Sequence, residues 1–362
     1  MKKMITKGNL ERILEEKLGK ENIKRVPSFS LEYILNSPRA DEDSINKTYL
    51  LLKSYGISDE KIAIHAQLLG RDPETIEENY QNLRSYGIYG GVIAINVTLL
   101  GSKPETIERN HKNLISYGIS RERIATNAAL LGFNPETIEE NYQKLRSYGI
   151  SKKKMATFAA LLRRDPETIE RNHKNLRSYG ISDEKIATNA ALLGRDPETI
   201  ERNHKNLISY GISKEKIATN AALLGRDPET IERNYQKAIA LLRQNSQDRN
   251  SGKNLLINQP QLFGLSPENI NENVQYLNSI NIDYNNAPLL LGTKVQTKRG
   301  KMVWMLQNLF DYERLPSSQK SEAIQNMYDF IRGNPTYLVM SISALERKRD
   351  KLQKRVRKYY YS

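Results

Sequence analysis

Residues 72–87 read Asp72-Pro-Glu-Thr-Ile-Glu-Glu-Asn-Tyr-Gln-Asn-Leu-Arg-Ser-Tyr-Gly87, and this stretch returns along the chain at a fixed interval. Pro-Glu-Thr-Ile begins at Pro73, Pro104, Pro135, Pro166, Pro197 and Pro228, each 31 residues after the last. Ser-Tyr-Gly-Ile keeps the same register at Ser54, Ser85, Ser116, Ser147, Ser178 and Ser209. A period of this size marks stacked supersecondary units, each too thin to bury its apolar face alone. Within one unit the residues predict two helices. Asp72 suits an N-cap, Pro73 the first helical position, and Glu74 and Glu77 the positive end of the helix dipole. Ile76, Tyr80, Leu83 and Tyr86 fall at helical spacing as one apolar stripe, and Gly87 follows as a C-cap free to adopt positive φ. This is helix A. Helix B is cleanest in a later copy, where Ser182 caps it, Ile186, Ala190 and Leu193 form its stripe and Gly194 closes it. Ala187, Ala190 and Ala191 permit close helix approach. Neither helix is stable alone at this length.

The expected fold is therefore an all-α, right-handed superhelical α-solenoid of about nine two-helix repeats of 31 residues, with degenerate copies at the C-terminal end. Residues 1–41 read as an N-terminal helical cap and 42–242 as the near-identical array, in which Glu42 holds the Pro73 register. A polar loop over 244–254 opens a degenerate repeat over 243–292, where Pro267, Asn273 and Ile282 take the places of Pro73, Asn79 and Ile88. Residues 293–362 form a basic helical unit, with helices expected over 298–311, 318–331 and 343–359.

The net charge of +14 is unevenly spread. Residues 293–362 hold 15 Lys/Arg against 6 Asp/Glu, and residues 1–41 hold 9 against 6. The stretch between them, 42–292, holds 32 against 30, so the array attracts a polyanion only if its charges segregate by face. With no cysteine, disulfides and thiolate metal sites are excluded. No apolar run reaches the length of a membrane span. Glu11, Glu15, Glu16 and Glu21 argue against a transit peptide. The expectation is a soluble intracellular monomer, cytoplasmic or nucleoid-associated in a prokaryote and organellar in a eukaryote. No Gly-rich phosphate loop, His-Glu-x-x-His helix or nucleophile elbow is present, so no enzyme, metal or cofactor is expected.

Several stretches carry a resemblance. Leu-x-x-x-Gly-Ile-Ser-x-x-x-Ile runs from Leu176 to Ile186, Pro-x-x-Leu/Phe occurs at Pro260, Pro288 and Pro335, and the chain closes with Leu345-Glu-Arg-Lys-Arg349. Over roughly residues 40–355 the chain resembles the mitochondrial transcription termination factor (mTERF) family. That resemblance implies helix, Gly turn, helix and a proline-initiated 3₁₀ turn in each repeat, in a curved array that binds nucleic acid along a basic groove. It favours double-stranded DNA, with structured RNA second, and a role in gene expression such as transcription termination. The family's proline position holds Ala66, Val97, Ala128, Ala159, Ala190 and Ala221 in the central copies. Two alternatives follow there: the 3₁₀ turn forms without proline, or helix B runs on to the glycine.

Candidate contacts divide between array and terminus. On helix A, Arg109/Lys112, Arg171/Lys174 and Arg202/Lys205 stand three apart on one face, with Arg233 in the same register. Stacked, they make a broken basic stripe for phosphates; alternatively they are a solvated face, since Glu108, Glu170 and Glu201 stand four before the lysines. His111, His173 and His204 alternate with Tyr80, Tyr142 and Tyr235, as packing residues or as a stacking surface for bases. His65, on helix B, shares a variable and presumed exposed position with Asn96 and Phe158. The invariant Asn79, Asn110, Asn141, Asn172, Asn203, Asn234 and Asn273 read as a buried ladder bonding turn backbone. At the C-terminus, Arg347, Lys348, Arg349, Lys351, Lys354 and Arg355 spread charge over most of a helix whose dry side is Leu352 and Val356, with Arg299 and Lys301 adding to it and Tyr359–Tyr361 free to stack. The competing expectation is a protein-interaction scaffold, favoured by the near-neutral middle of the chain.

Overall fold

The computed structural model describes residues 5–244, 251–284 and 287–360. Every regular element among them is helical, in a repeated pattern consistent with an α-solenoid. The chain divides into two compact units, Met1–Lys174 with Ile186–Gly194, and Asn175–Lys185 with Arg195–Ser362. In the first unit, helices Lys7–Ile23 and Ser28–Leu35 precede repeat one, which opens with Glu42–Ser54. Repeats two, three and four open at Pro73, Pro104 and Pro135. Each gives a 13-residue helix A, a six-residue helix B and a five-residue 3₁₀ turn, as in Pro104–Ser116, Arg121–Thr126 and Ala128–Gly132. Helix A packs on the turn of its own repeat and on helix A of the next. Ile76, Ile107, Ile138, Leu83, Leu114 and Leu145 are fully buried in that layer.

The 3₁₀ turn forms without proline, which decides between the two alternatives. Two asparagines bond at this junction in several repeats. Asn96, Asn127 and Asn220 end helix B at φ near −110° to −125°, and their side chains take the carbonyls of Val92, Arg123 and Lys216 four residues back. The break does not depend on that amide, since His65 and Phe158 hold the same position at φ −114° and −111°. The second asparagine sits on helix A. The chain turns extended at Ser102 and Lys103 before the next helix starts at Pro104, so the carbonyls that close the 3₁₀ turn lack backbone donors. Asn79 Nδ2 supplies one to Leu100 O at 2.9 Å and to Ser102 O at 2.8 Å. Asn110 does the same for Leu131 and Phe133, Asn141 for Leu162 and Arg164, and Asn203 for Leu224 and Arg226. All four asparagines are 0% exposed. The expected ladder is therefore a set of clamps, each inside its own repeat; in repeat one Thr48 takes the place and donates to Arg71 O at 3.5 Å.

The turn between helices A and B needs positive φ, and Gly56, Gly87, Gly118 and Gly149 adopt +77° to +82°. In the degenerate repeat Asn281 fills the same role at +53°, the side chain best able to tolerate that region. In the second unit, repeats six and seven open at Pro197 and Pro228 and the degenerate repeat at Pro267, followed by Val295–Leu309, Ser317–Gly333, Ile342–Arg347 and Arg349–Tyr360. The single C-terminal helix expected over 343–359 is thus two helices, broken at Lys348. The expected loop over 244–254 lies largely outside the described residues; its described part belongs to helices Pro228–Gln244 and Ser251–Asn258. Asn141→Leu should lower stability by about 1–3 kcal/mol, because it strands buried carbonyls rather than merely deleting a bond. The urea midpoint checks this; a shift equivalent to under about 0.5 kcal/mol, typical of a surface change, would contradict the clamp.

Candidate nucleic-acid interface

Helix A presents the expected basic stripe, but its charges are interlocked with carboxylates. In the first unit Lys112 meets Glu108 at 2.5 Å, Lys174 meets Glu170 at 2.6 Å, and Arg109 reaches Glu136 of the next repeat at 2.7 Å. Each lysine–glutamate pair spans one helical turn, as the i,i+4 spacing allows. Lys112 holds the Glu108 carboxyl below its ordinary range, and Arg109 does the same for Glu136. In the second unit Lys205 meets Glu201 at 2.6 Å and Arg233 donates to Thr230. Arg171 and Arg202 are exposed on the same register.

The aromatic position beside the stripe is a packing device. Each Tyr that ends helix A stacks on the ring four positions after Ile, next to the Asn, in the next repeat. Tyr86 lies on His111 and Tyr148 on His173, both at 3.7 Å between centroids, while Tyr117 lies on Tyr142 at 3.7 Å. In the second unit Tyr179 lies on His204 and Tyr210 on Tyr235. Two repeat types occur, with the His type in repeats three, five and six. Where the lower ring is Tyr, the upper Tyr donates its hydroxyl to a glutamate that also accepts from the following Gln, as with Tyr117, Glu139 and Gln143. Where the ring is His, that glutamate pairs with the following Lys, as Glu108 does with Lys112. The ring and its neighbour therefore change together. Base stacking would have to displace rings already stacked on one another. His65 is half-buried at the break between helix B and the 3₁₀ turn, not exposed as expected.

Helix B carries cations of a different kind, which the sequence reading passed over. Lys61 Nζ donates to Ala94 O at 2.8 Å and Lys154 Nζ to Thr188 Oγ1 at 3.4 Å. In the second unit Lys216 Nζ donates to Asn258 Oδ1 at 2.5 Å. These acceptors are neutral, so the bonds order the lysines without cancelling their charge. The signal was in the sequence: Lys61, Arg123, Lys154, Lys185 and Lys216 recur at multiples of 31.

The C-terminal helices confirm the dry side at Leu352 and Val356, both buried. Arg347, Lys348, Arg349, Lys351, Lys354 and Arg355 are exposed; Arg349 lies 3.8 Å from Asp350 and Arg355 donates to the Tyr337 hydroxyl at 3.2 Å. Arg299 is exposed, with its guanidinium 5.4 Å from the Tyr276 ring. Lys301 is a correction. It is 6% exposed and donates to Leu338 O at 2.7 Å, so its ammonium serves the last 3₁₀ turn rather than the surface. Its neighbour Lys298 is fully buried, bonds Asn273 Oδ1 and Thr293 O, and is pushed down to about 8 by that burial. Tyr361 and the Tyr359 side chain lie outside the described residues; the Tyr360 ring stands 6.2 Å from Phe310.

Among the described residues, no group of three or more His, Asp or Glu is placed to hold a metal ion, and no helix is long and apolar enough to cross a membrane. No protein-family model matches the chain, and no curated protein does.

Burial lowers the affinity of His65, His111 and His204 for a proton. A lowered folded-state value means that the unfolded chain takes up these protons first, from about pH 6.5 downward. Stability should accordingly be full above that pH and fall as pH drops from 7.5 to 5.5. Converting His111-Lys112 and His204-Lys205 to Tyr-Gln, the pairing found at Tyr142-Gln143, should flatten this dependence in urea titrations at the two pH values.

Proposed function

We propose that this chain is a non-enzymatic nucleic-acid-binding repeat protein, with double-stranded DNA as the first expectation and structured RNA the second, acting in gene expression as the mTERF resemblance implies. The observation that carries the reading is the contrast between the two helices of a repeat. On helix A, cations and carboxylates cancel in pairs, as at Lys112 with Glu108 and Arg109 with Glu136. On helix B, Lys61, Lys154 and Lys216 keep their charge beside neutral acceptors. Helix B has its own carboxylates, Asp59-Glu60 in repeat one and Asp183-Glu184 in repeat five, so its excess positive charge falls in repeats three, four and six, where a near-neutral array can still attract a phosphate backbone. Helices packed side by side stand roughly 8–10 Å apart, close to three 3.4 Å steps along a duplex strand. One cation per repeat therefore suits periodic phosphate contact. The exposed basic row from Arg347 to Arg355 adds a second charged surface in the other unit. Contacts of this type read backbone and shape rather than base sequence.

A protein partner is the second reading, and one patch favours it. Tyr89 and Ile95 are 70% and 74% exposed on the helix B segment of repeat two, where Gly90-Gly91-Val92 replaces charged residues.

Fluorescence anisotropy of the full chain with labelled duplex DNA, single-stranded DNA and hairpin RNA tests the first reading. Duplex binding should weaken steeply with salt, with log K falling by about 0.9 per decade of salt for each phosphate neutralised. Absence of binding to all three nucleic acids at about 50 mM salt, where such contacts are strongest, would sink it in favour of the protein partner.

A further inference from the structure

One edge of the first unit gathers more cations than the matching helix B starts of the other repeats. The first two helical residues of helix B are Asp59-Glu60 in repeat one and Asp183-Glu184 in repeat five. In both repeats the acid at the first position faces a cation near the end of helix A: Lys53 reaches Asp59 at 3.0 Å, and Arg177 reaches Asp183 at 3.6 Å. Repeat four keeps the cation, Arg146, but replaces the acids with Lys152 and Lys153, and Lys154 follows. Arg146 bonds the Ile150 carbonyl instead. Helix starts favour acids, so local stability does not ask for lysines here.

Repeat three extends the same surface. Lys152 Nζ donates to Ser116 O at 3.3 Å, and its side chain lies over Gly118, in the turn just before the helix that begins at Arg121. Arg121 and Arg123 stand on that helix in the registers of Lys152 and Lys154. Arg121, Arg123, Arg146, Lys152 and Lys153 are exposed and Lys154 is half-buried. Among the described residues none of these six forms an ion pair. Glu122, the carboxylate between the two arginines, is held below its ordinary range first by Ser120, then by the backbone of its own helix start, and least by Arg121.

Resting on the nucleic-acid reading above, we infer that this six-cation cluster of repeats three and four is where the array grips the phosphate backbone, with the remaining helix B lysines contributing single contacts. Six cations on one edge, none in an ion pair among the described residues, leave positive charge that an approaching row of phosphates can neutralise. The partner is thus a polyphosphate strand in duplex form, recognised by charge.

The test uses the full chain and a variant that the protein itself has already validated. Lys152→Asp with Lys153→Glu gives repeat four the helix B start of repeat five, with an acid again facing Arg146. Lys112→Gln with Lys174→Gln, which copies Gln143 and Gln236, removes equal numbers of lysines from the ion-paired stripe. Duplex binding by anisotropy at about 100 mM salt should fall at least tenfold in the first variant and less than about twofold in the second. The salt slope should shrink by about two in the first variant only. Should the first variant melt early, Arg146→Ile, matching Ile115 and Ile208, repeats the test and should lose about one unit of slope. Unchanged affinity and slope in a chain that otherwise binds duplex would overturn the cluster while leaving the nucleic-acid reading standing. A wild-type chain that binds no nucleic acid would bring both down.

Discussion

From repeat two onward, an asparagine in helix A that donates to the carbonyls closing its own 3₁₀ turn holds the repeat in shape. The turn carbonyl of Leu100, Leu131, Leu162 or Leu224 has no backbone donor because the chain leaves the turn extended, and it lies inside the stack, where an unmet acceptor is costly. Asn79, Asn110, Asn141 and Asn203 reach it from the middle of helix A. That one bond sets the distance from helix A to the 3₁₀ turn and the direction in which the next repeat starts. The isoleucines and leucines then fill a layer whose geometry is already defined. It also explains why alanine and valine can occupy the turn where the resembled family uses proline.

The same demand for donors organises the C-terminal unit in another chemistry. Asn273 again donates to its turn, at Leu291 O, but its oxygen now accepts from Lys298. Lys301 takes the carbonyl of Leu338 in the last 3₁₀ turn. Two of the basic residues that give this end of the chain its charge are therefore structural. Their burial is tolerable because each ammonium finds oxygen acceptors, and a lysine has the reach to find them from a neighbouring helix.

Charge in the array is arranged by partner more than by number. Helix A carries two self-consistent sets, Tyr with Gln and His with Lys, and in both the intervening glutamate is satisfied. That coupling keeps the stacked rings and their polar edge intact while the residues vary, and it leaves little of helix A's charge for a partner. Helix B has no such set. Its cations rest on carbonyls, hydroxyls and amides, so changes there alter the surface without disturbing the stack, and repeat four has accumulated them.

The 31-residue period, the two helices, the glycine turn and the asparagine ladder were legible in the sequence because each depends on local chemistry: caps, helical spacing, positive φ and an amide that must be buried. The i,i+4 pairs of helix A were legible for the same reason. What required the tertiary structure were contacts between residues about one period apart. The Tyr–His and Tyr–Tyr stacks, the bond from Lys154 to Thr188 and the cluster joining Arg121 to Lys152 exist only once repeats lie side by side. Lys301 shows the limit most plainly. A lysine in a basic stretch looks like surface, and only the packing of Val295–Leu309 against the turn at Pro335–Leu338 turns it inward, because that turn's carbonyl needs a donor that its own backbone does not provide.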